Sequence, residues 1–220
     1  MGVSFLGGLV VAGVLLLPPT PDVPAASRGT SGGLSPPAAT ASRSIASSPA
    51  AVAAGRSPGA GTAADPRARW LNLDSGIPPE YLDLIIQAGT MCDQPGLSPV
   101  FIAAVLNAES GFDPNLSDPD LDEYGIARWT PRVLRHWQPG GLSKPEPRPP
   151  YSPELSIPAM GKFFCRLGPQ IASIPGDPAM NLVGLYRTSV TTVRQYNGVP
   201  PQWSDHAYKV KRYMNQYNPR

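Results

Sequence analysis

The sequence predicts an all-α domain of about six or seven helices behind an N-terminal segment without stable structure. Three observations predict it. A capping side chain followed by proline recurs at Ser98-Pro99, Thr130-Pro131, Ser152-Pro153 and Asp177-Pro178. Each pair is a helix start: the hydroxyl or carboxylate accepts from a free backbone N–H, and proline is tolerated at the first helical position, where its missing N–H had no partner. Beyond these starts, apolar residues recur at intervals of three and four. Strands are hard to find, because the β-branched runs are short.

Taken in order, Pro78-Pro79 opens the first helix, which runs through Glu80 to Ala88. Ser98-Pro99 opens the second, where Phe101, Ala104, Val105 and Ala108 form one apolar line and Ile102 and Leu106 a second, so it is expected to be buried on most sides. Gly111 can take the left-handed conformation that ends it, and Asp113-Pro114 turns the chain. Thr130-Pro131 opens a third. A central helix from Ser152-Pro153 carries the stripe Ala159, Phe163, Phe164 and Leu167, with Cys165 on it. Asp177-Pro178 starts another, and residues 182 to 194 read as one helical stretch. Ser204 or Asp205 is expected to cap the last helix, along which Tyr208, Tyr213 and Tyr217 roughly share a side. The proline-rich stretch from Pro139 to Pro153 reads as a stiff irregular loop, either a wall of a binding groove or a surface insertion.

Composition divides the chain. Of 29 prolines and 22 glycines in 220 residues, many fall early, with Ala, Ser and Thr. Residues 1–25 read as a signal peptide or membrane anchor: Val3 to Leu17 is apolar but shorter than the roughly 20 residues that span a bilayer, and Val23-Pro-Ala25 offers a small-residue cleavage site. The basic residues usual before such a core are missing. Residues 26–69 read as a disordered linker, too poor in large apolar side chains to offset chain entropy. Residues 70–220 form the domain, long enough to bury its own core. Five of the 18 basic residues and two of the 16 acidic ones precede residue 70, leaving 13 basic and 14 acidic in the domain. Without a basic stripe, a nucleic-acid partner is not expected.

The most informative residue is Glu109. It lies three residues after Leu106 and seven after Ile102, so it continues an apolar line. A carboxyl buried there without a partner would favour its protonated form and serve as a general acid. A carboxylate is also disfavoured at a helix C-terminus, which argues for a task. The plain alternative is an exposed glutamate near a helix end.

The flanking residues, Ala108-Glu109-Ser110-Gly111-Phe112-Asp113-Pro114, resemble the first signature of soluble-type lytic transglycosylases, relatives of goose-type lysozyme. Tyr124-Gly125-Ile126-Ala127-Arg128-Trp129-Thr130-Pro131 is similar to the second signature, with Arg128 where the family usually has Gln. Tyr196-Asn197-Gly198-Val199-Pro200 resembles the third. The likeness covers roughly Ile77 to Tyr217 and implies a lysozyme-like helical domain. It further implies an exported enzyme that cleaves the MurNAc-GlcNAc β-1,4 bond of peptidoglycan without water. Glu109 would be the single acid/base, the sugar's own C6 hydroxyl would attack, and a 1,6-anhydro product would result. On this resemblance Ser110 contacts substrate or orients the acid, Tyr196 stands near Glu109 or the N-acetyl group, and Asn197 and Tyr208 line the groove. Arg128 would contact an anionic muropeptide or close off a subsite. Two alternatives stay open. An acid from Asp118-Pro-Asp120-Leu-Asp122-Glu123 would make the enzyme an inverting hydrolase if it lies about 6.5–9.5 Å from Glu109, though such a run also reads as a solvated turn. A degenerate site would leave a non-catalytic peptidoglycan-binding module.

Export sets the expectation for Cys92 and Cys165, the only cysteines: one disulfide, against the alternative of two buried thiols. Their spacing is no metal motif, His136 and His206 are isolated, and neither a metal nor a cofactor is expected. The expected partner is the glycan strand, met by a monomer that is secreted or held at the cell surface, with a possible membrane tether through the N-terminal apolar run.

Overall fold

The computed structural model describes residues 65–219. The expected signal peptide or anchor, and the linker up to residue 64, lie outside the described residues. Residues 65 to 69, assigned above to the linker, belong to the folded part: Pro66–Arg69 is a single 3-10 turn capped by Asp65, and Arg67 reaches Asp83 at 3.7 Å.

The described residues are mainly helical. Seven α-helices follow one another: α1 (Leu82–Gly89), α2 (Pro99–Ser110), α3 (Pro131–Trp137), α4 (Pro153–Leu167), α5 (Pro178–Arg187), α6 (Val190–Tyr196) and α7 (Ser204–Tyr217). The serine, threonine and aspartate caps act as their chemistry dictates. Ser98 accepts from Phe101 N–H, Thr130 from Val133, Ser152 from Leu155 and Asp177 from Ala179. None of these helices is long and apolar enough to cross a membrane.

Helix α2 is the axis of the fold. Only Asn107 and Ser110 of its twelve residues escape full burial, because two apolar lines leave almost no polar face. It packs against α7 on one side and α1 on another, and α1 packs in turn on α4. A Cβ on Gly161 would stand 2.8 Å from the Ala88 carbonyl, so the glycine permits the close α1–α4 crossing. The disulfide Cys92–Cys165 ties the turn just after α1 to α4, with Cα atoms 5.9 Å apart. Tyr217 closes the other side: its ring is fully buried, its hydroxyl accepts from Asn107, and Tyr213 stacks on it.

Four expectations are corrected. A hairpin was not foreseen: β1 (Ser117–Asp118) and β2 (Glu123–Tyr124) pair antiparallel, with Ser117 opposite Tyr124. Two-residue strands carry too short a pattern to read. Residues 182 to 194 do not form one helix; Thr188 breaks it at φ −139°, ψ −108°, and Ser189 caps α6 by accepting from Thr192 N–H. Neither Ser204 nor Asp205 caps α7, because Pro201–Trp203 forms a 3-10 turn that leads straight into it. Tyr208 does not share the inward side of Tyr217 and is 68% exposed.

Candidate active site

Glu109 occupies the last turn of α2, and Gly111 ends that helix at φ +67°, as the sequence predicts. The side chain of Glu109 is 2% exposed, so the reading of an exposed helix-end glutamate is set aside. Nor is the carboxyl without a partner. Arg187 Nη1, from the end of α5, donates to Glu109 Oε2 at 3.0 Å. His206 Nε2, on the first turn of α7, lies 3.1 Å from Oε1, turned so that neither atom completes a hydrogen bond. Lys209 Nζ donates to the Ala108 carbonyl at 2.9 Å, placing another cation at the end of α2, where the helix dipole favours one. The acid is thus deeply placed, with the side chains of Arg187 and His206 against its two oxygens.

Arg187 extends the site. Its Nη2 donates to Glu123 Oε1 at 3.2 Å, and its guanidinium lies over the Trp203 ring at 4.5 Å. The Trp203 ring in turn meets His206 nearly edge-on, with centroids 5.9 Å apart. Glu123 is shared with Arg128, whose Nε donates to Glu123 Oε2 at 2.7 Å while its Nη2 donates to Asp118 Oδ2 at 2.7 Å. A ladder of alternating charges therefore runs Glu109, Arg187, Glu123, Arg128, Asp118, from α2 across α5 to the hairpin. Burial works against the Arg128 cation, but its bonds to Glu123 and Asp118 outweigh this and its pKa is raised.

The expected cluster of acids from Asp118 to Glu123 thus divides. Asp118 and Glu123 are drawn into the ladder, whereas Asp120 and Asp122 stay exposed at the hairpin tip. The turn after β2 makes this division. Gly125 at φ +73° and Arg128 at φ +49° fold the chain back so that Tyr124 and Trp129 exchange both backbone hydrogen bonds, each 3.0 Å. That fold returns the Arg128 guanidinium to the hairpin acids.

A cleft of about 240 Å³ opens beside the ladder, lined by Glu123, Arg128, Trp129, Thr130, Phe163 and Arg187 among others. Its base is aromatic: Trp129, Phe163 and Tyr186 meet edge to face with centroids 5.3–5.9 Å apart. Tyr186 donates its hydroxyl to the Ala127 carbonyl, and burial, reinforced by the Glu109 charge, pushes that hydroxyl well above the usual tyrosine range.

The other residues singled out in the sequence fall in three places. Ser110 donates its one hydroxyl proton to the Ile126 carbonyl at 2.7 Å, with the Leu106 carbonyl 3.2 Å away, so its hydroxyl ties α2 to the turn after the hairpin. Tyr196 ends α6, 48% exposed, and Asn197 caps it in the left-handed conformation at φ +53°, exposed; neither is among the partners of Glu109. Tyr208 points to solvent on α7. Arg187 is absent from the sequence reading, and His206 appears there only as an isolated histidine. The one signal for Arg187 was a cation in the last turn of a helix that begins at Asp177-Pro178, which is common on any helix. No family model, curated protein or solved structure matches the chain.

Proposed function

We propose that this chain is an exported peptidoglycan-cleaving enzyme that breaks the MurNAc-GlcNAc β-1,4 bond without water, with Glu109 as its acid and base. The observation that carries the reading is Glu109: a carboxyl side chain 2% exposed, at the end of a buried helix, held by one cation and faced by an imidazole. Burying a charge is costly and contributes little net stability even when it is paired, so such a group is more readily explained by chemistry than by folding. The ordered resemblance of residues 108–114, 124–131 and 196–200 to lytic transglycosylase signatures supplies the substrate class.

On this reading Glu109, ion-paired in the resting protein, takes up a proton from solvent and gives it to the glycosidic oxygen as the C1–O bond breaks. The C6 hydroxyl of the same sugar then bonds to C1, and its proton passes to Glu109. The proton count closes and the product is a 1,6-anhydro sugar. Arg187 compensates the charge on Glu109 between the two steps. The cleft beside Trp129 and Arg128 would hold the glycan, its aromatic base suited to the apolar faces of sugar rings. Tyr196, Asn197 and Tyr208, all exposed, would add contacts farther along the strand.

A second reading, hydrolysis by an inverting mechanism, is favoured by one observation: Arg187 joins Glu109 to Glu123, which singles out Glu123 as the second carboxylate. A zymogram on peptidoglycan, with Glu109→Gln alongside, tests the enzyme reading; equal clearing by both proteins removes Glu109 from the chemistry. Retention on peptidoglycan with no clearing by either leaves a binding module. Mass spectrometry of the released fragments separates the two chemistries, because anhydro ends are one water lighter than reducing ends.

A further inference from the structure

We infer that Arg187 is the positioning residue of this site: its one guanidinium fixes Glu109 and Glu123 as a unit, and so sets how the acid meets a ligand in the cleft. The inference rests on the reading of Glu109 as the acid, and adds a residue that neither the helix pattern nor the resemblance marks.

Three chain segments converge on this cation. Glu109 comes from α2 and accepts from Nη1 at 3.0 Å; Glu123 comes from β2 and accepts from Nη2 at 3.2 Å; Trp203, just before α7, lies under the guanidinium plane at 4.5 Å. The guanidinium is rigid and planar, with its N–H bonds at fixed angles, so two carboxylates bound to its two ends have their separation and mutual tilt determined together. Lysine would carry the charge without the fork. The geometry is braced from both sides. Trp203 packs its ring against the guanidinium, and Arg128 holds the far oxygen of Glu123 at 2.7 Å, so Glu123 cannot swing away from Arg187 without breaking a second ion pair.

Arg187 also stands between the cleft and the acid. It lines the cleft together with Glu123 and Arg128, whereas Glu109 does not reach the cleft wall. A group occupying the cleft therefore meets Arg187, and any shift of the guanidinium moves Glu109 Oε2. This makes Arg187 the link through which ligand position and acid position are matched.

The test uses steady-state kinetics on soluble glycan-strand fragments, with urea unfolding of each variant. The proteins are wild type, Arg187→Lys, Glu123→Gln, the pair Arg187→Met/Glu123→Gln, and Glu109→Gln. Arg187→Lys is expected to lower kcat about 10²-fold, the cost of misplacing a catalytic group by about 1 Å, with little change in KM and an unfolding midpoint close to wild type. The Arg187→Met/Glu123→Gln pair removes one acid together with the cation, which limits the uncompensated charge; its kcat is expected well below that of Glu123→Gln alone. Wild-type kcat in Arg187→Lys overturns the inference, as does a paired variant as fast as Glu123→Gln. A kcat that falls only in step with the unfolded fraction overturns it too, because the role is then structural. Full activity in Glu109→Gln is a different failure, that of the acid assignment itself.

Discussion

Removing the cation and removing the acid are expected to have unequal effects on stability, and the ladder gives the reason. In Arg187→Met the side-chain volume is nearly kept, but Glu109 and Glu123 lose the guanidinium they share. Their side chains are 2% and 15% exposed, so water compensates neither fully. Glu123 keeps Arg128; Glu109 is left facing only the imidazole of His206. Breaking a buried ion pair from one side costs about 3–5 kcal/mol, which for a domain of this size lowers Tm by about 6–20 °C. In Glu109→Gln the outcome is different. Arg187 retains Glu123, the glutamine carbonyl can still accept from Nη1, and the desolvation cost of a buried carboxylate disappears. The change is expected to stay within about 1 kcal/mol, the net worth of one hydrogen bond. Urea and thermal unfolding of both single variants and the double variant close a cycle; the coupling expected for groups in direct contact is about 0.5–3 kcal/mol. A Glu109→Gln protein as destabilised as Arg187→Met would refute the reasoning, because Glu109 would then be a structural anchor.

Further outcomes follow from individual contacts. Replacing both cysteines with serine, which opens a cross-link between residues 73 apart, should lower stability by about 4 kcal/mol in the chain-entropy model, read from unfolding midpoints. Tyr186→Phe should lose about 1 kcal/mol with its bond to Ala127. In wild type, burial raises the Tyr186 and Tyr151 hydroxyls; a group raised in the folded state stabilises below its unfolded value and loses that contribution as pH rises through the folded one. Absorbance titration should therefore find both silent until the domain unfolds in alkali. Asp177 behaves oppositely. Burial would raise its pKa, but the Lys211 ammonium and the N–H groups of α5 lower it overall, so its contribution is present above the unfolded carboxylate value and is lost as pH falls through the lowered one. Asp177→Ala should accordingly cost about 1 kcal/mol at neutral pH, as lost helix caps do, and the difference from wild type should shrink in acid unfolding curves.

Much of the scaffold was legible because it is written locally. A hydroxyl or carboxylate before proline marks where a backbone lacks partners, and all four such pairs start helices where expected. The apolar lines through Phe101 and Ile102 gave both the burial of α2 and the inward direction of Glu109. The cysteine pairing was expected from the number of cysteines together with the expectation of export, and the disulfide is present. The errors lie where the deciding contact was short or came from a neighbouring turn: the two-residue strands, the Thr188 break, and the start of α7 after Trp203. Arg128 was legible as a departure from the signature that residues 124–131 resemble, with substrate contact or closure of a subsite as its expected use; its ion pairs were not legible, and it spends its Nε and Nη2 on Glu123 and Asp118.

The sequence by itself therefore determined where most helices start, the apolar line that Glu109 continues and the two cysteines available to pair. Each depends on backbone satisfaction, periodic burial or a count. Only the tertiary structure decided what meets that carboxyl. Arg187 is 78 residues from Glu109 and 64 from Glu123, and no periodicity connects positions so far apart. An ion pair between distant elements depends on where α5 and the hairpin come to rest against α2, and that is fixed by the packing of the whole core rather than by any one segment.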